Sequence, residues 1–173
     1  MGSNMKANRL DRLLRNIASG DNKSFEELYV ETRRGVFAFL YTYFNHYEDT
    51  EDAMQTVYLK IKLNIEKYKP GTNARAWILQ IAKNHALNEI KKSGRITYTD
   101  NLDYVEDETA VSSEGVIDAM KRVLNEEEQR IVTLHVLWNY KHREIGEILG
   151  CPTGTVTSKY KRAVEKLRVV VKG

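Results

Sequence analysis

The chain has 173 residues, of which 42% are hydrophobic and 29% charged, an ordinary globular composition with room for one domain or two small ones. One cysteine, Cys151, excludes an intramolecular disulfide and fits a reducing compartment, and no apolar run reaches the length of a membrane span. The formal charge of +3 is small, but it is unevenly spread. Residues 153–173 carry six Lys/Arg against one acid, whereas residues 100–118 carry seven Asp/Glu and no Lys or Arg. Such asymmetry predicts a nucleic-acid-binding end and a separate acidic connector. Met1–Asn4 reads as an expression remnant before a natural start at Met5, with no signal peptide visible, so a cytoplasmic location is expected.

Apolar spacing of three and four residues recurs along the chain, and β-branched alternation never persists, so the expected fold class is all-α. The first predicted helix covers Asn8 to Ser19, with Leu10, Leu13, Leu14 and Ile17 on one face and Gly20 past its end. Ser24 and Glu27 form a capping-box pattern opening a second, with Phe25, Leu28, Tyr29, Val36, Phe39, Leu40 and Tyr43 as its apolar positions. Asp49 or Thr50 is expected to cap a third helix running to about Lys67, with Ala53, Met54, Val57, Ile61 and Ile65 buried. Lys69–Asn73 is a loop, and a fourth helix follows over Ala74 to Lys92. Periodicity disappears from Ser93 to Ser113 and resumes near Glu114. Asn125 with Glu128 repeats the capping pattern and opens a sixth helix that carries Ile131, Leu134, His135 and Trp138. The expected domains are 5–93 and 114–173, joined by a flexible acidic linker over 94–113.

The C-terminal stretch is the most specific. A short amphipathic helix with Glu144, Ile145, Ile148 and Leu149 ends at Gly150, Pro152 prevents its continuation, and a new helix begins near Thr153. Two short helices joined by a tight Gly-containing turn describe a helix-turn-helix. The second presents Thr153, Thr155, Thr157, Ser158, Lys159, Lys161, Arg162 and Lys166 as a polar, basic face, leaving Val156, Tyr160, Ala163, Val164 and Leu167 to pack. Such a helix enters a major groove by its N-terminal end and sets cations against phosphates.

Catalytic chemistry has little to rest on. No Gly-rich phosphate loop, HExxH or CxxC is present. Glu48–Asp49 and Glu51–Asp52 sit where acids complement a helix dipole. Cys151 with His135 and His142 could ligate a metal, but a small turn residue explains the cysteine better. A binding protein with no catalytic residue, cofactor or metal is therefore expected. The fourth helix, with Lys83, Asn84, Asn88, Lys91 and Lys92 beside Trp77, suits a single nucleic-acid strand, although Trp77 taken alone reads better as core. The face bearing Asp52, Gln55, Thr56 and Lys60 is by physics alone only a solvated helix face.

Four stretches in order resemble the extracytoplasmic-function (ECF) sigma factors of the sigma-70 family, subunits that give bacterial RNA polymerase its promoter specificity. Phe25-x-x-Leu28-Tyr29 with Val36–Leu40 resembles the start of the first conserved domain. Glu51–Lys60 resembles the core-polymerase-binding helix, Ala74–Asn84 the helix that melts and reads the −10 element, and the helix-turn-helix the reader of the −35 element. Ala74, Asn88 and Thr153 depart from the residues usual in the family.

The resemblance implies that Asp52 and Gln55, with Thr56 and Lys60, contact the β′ clamp of core polymerase. It implies a flipped base held by the loop with Lys69, Thr72 and Asn73, and an opened −10 strand against Trp77, Lys83, Asn84, Asn88, Lys91 and Lys92. The −35 duplex falls to Thr153, Thr155, Thr157, Ser158, Lys159, Lys161, Arg162 and Lys166, and an anti-sigma factor is an implied partner. The alternative is a stand-alone, dimeric helix-turn-helix regulator that binds its duplex without polymerase.

Overall fold

The computed structural model of the chain describes residues 2–94 and 114–172, with side chains described for 8–94 and 117–170. The expected acidic linker therefore lies, apart from Gly94, outside the described residues. Among the described residues the fold is all-α. Helices α1 (Gly2–Ala18), α2 (Asn22–Phe44), α3 (Tyr47–Leu63) and α4 (Ala74–Lys92) form an N-terminal unit, with a 3-10 turn at Ile65–Lys67. Helices α5 (Glu114–Val123), α6 (Glu126–Val136), α7 (His142–Leu149) and α8 (Thr153–Lys172) form a C-terminal unit that contains the helix-turn-helix.

The N-terminal core is built from the predicted stripes. Leu14, Leu28, Val36, Phe39, Leu40, Val57, Ile61 and Ile78 are fully buried, each contributing about 1.5–3 kcal/mol. Thr32 joins two helices there: its hydroxyl donates to Leu28 O at 2.7 Å, which leaves it to accept from Tyr58 Oη at 2.6 Å. Burial pushes the Tyr58 hydroxyl well above the usual phenol range.

Several helix ends differ from the expectations. The first helix begins at Gly2 rather than Asn8. Asp21, not Ser24, caps α2: its carboxylate accepts from Lys23 N at 3.1 Å and from the Ser24 hydroxyl at 2.8 Å. His46, not Asp49 or Thr50, caps α3, because Asn45 in the left-handed region (φ 53°) reverses the chain so tightly that the next helix starts at once. That helix stops at Leu63, where the Asn64 amide donates to Lys60 O at 2.8 Å. Helix α6 ends at Val136, so Trp138 lies in the turn after it. The Asn125–Glu128 capping box forms as expected, as does the Gly150 end of α7 (φ 71°).

The two units pack against each other. Trp138 is buried against the middle of α2, and its Nε1–H donates to Gly35 O at 3.0 Å. Arg130 of α6 lies 4.0 Å over the Tyr43 ring and donates to Thr42 O at 3.2 Å. Lys121 of α5 donates to Tyr41 Oη at 3.1 Å and Asn45 O at 3.2 Å. Ile131 and Leu134 of α6 belong to the same apolar cluster as Phe39 and Leu40.

Candidate nucleic-acid interface

The exposed face of α3 is ordered by its own periodicity. Asp52 and Gln55 are exposed, and the Thr56 hydroxyl donates to Asp52 O at 3.1 Å. One and two turns on, Leu59 and Leu63 are 56% and 72% exposed, so an acidic-amide patch continues into an apolar one along a single stripe. Lys60 leaves this face: its Nζ donates to His85 Nδ1 of α4 at 3.2 Å. Burial first, then the Lys60 cation, holds the His85 pKa below its ordinary value, which keeps Nδ1 free to accept.

Between α3 and α4 lies an open hollow of about 260 Å³, with Trp77 and Ile81 as apolar wall and Lys60, Lys67, Asn64 and Asn84 around them. Trp77 is half-buried and meets the Tyr68 ring at 5.3 Å between centroids, so its place is partly core and partly hollow. Gln80 donates to Asn84 Oδ1 at 2.9 Å, fixing that amide, while Asn88, Lys91 and Lys92 are exposed further along α4. Lys83 alone among these points toward the C-terminal unit, donating to Ile148 O at 2.9 Å.

The loop before α4 has no bulky core of its own. Asn73 is the α4 cap and accepts from Ala76 N at 3.1 Å; the Thr72 hydroxyl donates to Lys69 O at 2.6 Å; Lys69 is exposed. Its anchor comes from α1. One carboxylate oxygen of Asp11 accepts both Gly71 N–H at 2.8 Å and the Tyr68 hydroxyl. Burial alone would raise the Asp11 pKa, but the hydrogen bonds from Tyr68 and Gly71 and the nearby Arg15 outweigh it and hold the carboxyl below its usual range. The contribution of Asp11 is therefore present above the usual carboxylate range and lost as pH falls through its lowered folded value. The protection factor of the Gly71 amide, followed by hydrogen exchange, is expected to fall on acidification below pH ~4 and to be low at neutral pH in Asp11→Ala. An unchanged protection factor would remove Asp11 as the loop's anchor.

On the helix-turn-helix, the predicted basic face divides in two. Thr153, Ser158, Lys161 and Arg162 are exposed, with Thr155 and Thr157 half-buried beside them. Lys159 instead pairs with Glu127, and Lys166 donates to both Glu128 oxygens at 3.0 and 2.9 Å. Glu128 is only 3% exposed. Two cations of α8 are thus tied to the acidic first turn of α6. His135, His142 and Tyr160 form a ring cluster with centroids 4.6–5.0 Å apart. His142 Nδ1 lies 3.0 Å from the Thr157 hydroxyl, which itself donates to Thr153 O, so the histidine is the donor. Burial, then His135, lowers the His142 pKa. Cys151 lies in the turn, its N–H donating to Gly146 O at 3.0 Å, and no group of three metal-ligating side chains occurs among the described residues.

Asp11, Glu127 and Glu128 take part in these surfaces without being named as site residues by their spacing. Only Glu128 left a trace, as the second half of a capping pattern. Its pairing with Lys166, 38 residues away, has no local signature.

A family model described as Sigma-70 region 2 matches residues 28–96, and one described as Sigma-70, region 4 matches residues 115–167. The chain is 27% identical to the ECF RNA polymerase sigma-E factor of Haemophilus influenzae, an alignment covering 90% of this chain and 91% of that protein. It is 26% identical to the factor of the same name from Escherichia coli K12, covering 90% of each. Two solved structures share the fold. CnrH in complex with the cytosolic domain of CnrY matches with a TM-score of 0.62 at 16% identity, covering 95% of this chain and 97% of that one. The sigma factor RpoE in complex with the anti-sigma factor NepR from Bartonella quintana matches with a TM-score of 0.62 at 19% identity, covering 87% and 98%.

Proposed function

Because the chain belongs to the ECF sigma factors of the sigma-70 family, which bind core RNA polymerase and direct promoter recognition, we propose how its surfaces divide that work. Residues 5–93 act as the polymerase-binding and −10 domain, 94–113 as the linker, and 114–173 as the −35 domain. The α3 stripe of Asp52, Gln55 and Thr56, continued by the exposed Leu59 and Leu63, meets the β′ clamp. A partly apolar, partly charged helical stripe of this kind suits another helical surface. The hollow beside Trp77 and the Lys69–Asn73 loop receive unpaired bases, while Asn84, Asn88, Lys91 and Lys92 follow the strand. Thr153, Ser158, Lys161 and Arg162 meet the −35 duplex, with Thr155 and Thr157 at the edge of the same surface. Lys159 and Lys166 reach phosphate only by leaving their glutamates. An anti-sigma factor is a proposed partner, supported by the fold shared with an anti-sigma-bound sigma factor.

The observation that carries the reading is the order of the two family matches along one chain. A stand-alone regulator would need the second alone. The double substitution Asp52→Ala, Gln55→Ala is expected to weaken association with core polymerase at least tenfold in a titration, because both side chains are exposed and hold no part of the core. Unchanged affinity would take α3 out of the polymerase interface.

A further inference from the structure

The loop before α4 holds one shape before any strand reaches it. Lys69–Thr72 has the form of a type II turn: Pro70 stands second, Gly71 third with φ 81°, and Thr72 N–H donates to Lys69 O at 3.3 Å. Only glycine takes such a φ without steric cost. The Thr72 hydroxyl donates to the same carbonyl at 2.6 Å. The turn closes without the Gly71 N–H, and that group is taken by Asp11, 60 residues earlier on α1, at 2.8 Å. The same carboxylate oxygen accepts the hydroxyl of Tyr68, the residue that leads into the turn. The other oxygen accepts from Arg15 Nε at 2.9 Å. Only 14% of the Asp11 side chain is exposed, so water competes little for these bonds.

Tyr68 carries the tether one step further. Its ring is buried and stands 5.3 Å, centroid to centroid, from that of Trp77, part of the apolar wall of the hollow. Burial first, then the Asp11 carboxylate, pushes the Tyr68 hydroxyl up to about 12, so it stays protonated and donating at neutral pH. One carboxylate oxygen thus fixes the turn through Gly71 and the indole through Tyr68. A loop ordered in advance loses little conformational freedom when it takes a ligand. We propose that Asp11 is a positioning residue for base capture: from α1 it holds the Lys69–Asn73 turn and Trp77 in the shape that receives an unpaired base. The inference rests on the base-binding reading of the hollow and loop given above. Lys91 and Lys92, exposed about 20 Å further along α4 than Trp77, are no part of this arrangement. Strand affinity is therefore divided: its base-dependent part requires Asp11, and its phosphate-dependent part does not.

The test compares two labelled strands on holoenzyme assembled with bacterial core RNA polymerase, with core alone as the baseline. One is a random-sequence single-stranded 20-mer, the other an abasic 20-mer with the same phosphates, and fluorescence anisotropy gives the ratio of their affinities. The parent is expected to favour the base-bearing strand. Asp11→Ala is expected to lower that strand's affinity about tenfold, the scale of hydrogen bonds to a charged acceptor. Its affinity for the abasic strand and its co-elution with core polymerase are expected to stay as in the parent. Asp11→Asn keeps a carbonyl oxygen for Gly71 and Tyr68 and is expected to recover most of the loss; Tyr68→Phe keeps the Gly71 tether and is expected to fall between. An equal loss on both strands in Asp11→Ala would reduce Asp11 to a residue of the fold, and an unchanged affinity for the base-bearing strand would make the tether irrelevant to capture; either overturns the proposal. A parent that binds both strands equally would overturn the base-binding reading itself, and the positioning role with it.

Discussion

Gly146→Ala is expected to destabilise the helix-turn-helix by about 1–3 kcal/mol, the cost of overpacking a site that has no room. Propensity points the other way, since alanine in a helix interior is favoured over glycine by about 1 kcal/mol. Packing decides the sign. A Cβ at Gly146 would stand 2.6 Å from the Cys151 carbonyl oxygen and 3.6 Å from Thr153 N. Both neighbours are backbone, so neither can rotate away. The Cys151 N–H meanwhile donates to Gly146 O at 3.0 Å, so moving the turn to make room breaks the bond that closes it. Urea unfolding, with hydrogen exchange across α7 and α8, measures the effect. A variant as stable as the parent, with unchanged exchange in α7 and α8, would mean that the turn is looser than described.

Glu128→Ala is expected to cost about 2–3 kcal/mol, a sum of two losses at one side chain. The first is the capping box, in which Glu128 accepts Asn125 N–H at 3.1 Å, typically worth about 1 kcal/mol. The second is the pair with Lys166 across α6 and α8. Breaking a buried pair costs about 3–5 kcal/mol when the surviving charge is trapped. Here Lys166 is 45% exposed and stays hydrated, which places the loss well below that range. Glu128→Gln keeps an acceptor for the cap and removes the charge, so it is expected to recover about the cap's share, ~1 kcal/mol. Equal losses for the two variants in urea unfolding would assign the whole effect to the ion pair. A loss below about 0.5 kcal/mol for alanine, the range of ordinary surface changes, would reduce Glu128 to a surface residue.

Much of the helical framework was legible because it depends on local signals. The stripe of Leu10, Leu13, Leu14 and Ile17 and that of Ala53, Met54, Val57 and Ile61 are buried as their spacing predicts. Asn125 with Glu128, and Gly150, act as their residue types suggest. Helix starts failed where two capping residues compete within a few positions. Asp21 took the role expected of Ser24 because its two carboxylate oxygens accept separately from Lys23 N and from the Ser24 hydroxyl, which makes Ser24 a donor to the cap. The candidate surfaces were legible as lists of exposed polar residues, but not as working sets. Lys60, Lys83, Lys159 and Lys166 all belong to polar helix faces in sequence, yet each is engaged by a group 25 to 65 residues away or, for Lys159, by Glu127 of α6. Periodicity places a lysine on a face; it carries no information about which acceptor waits opposite.

The seat of Trp138 on Gly35 joins positions 103 residues apart, and that separation sets an order of events during synthesis. All four N-terminal helices have been made once Lys92 is added, with contacts among them to fold on. Trp138 follows 46 residues later, which at ~5–20 residues per second is roughly 2–9 s. Each new copy thus passes through an interval on the ribosome in which the Gly35 seat on α2 exists and the indole that fills it does not. The N-terminal unit has therefore to hold its own fold with that seat empty, and the seam is added to it last.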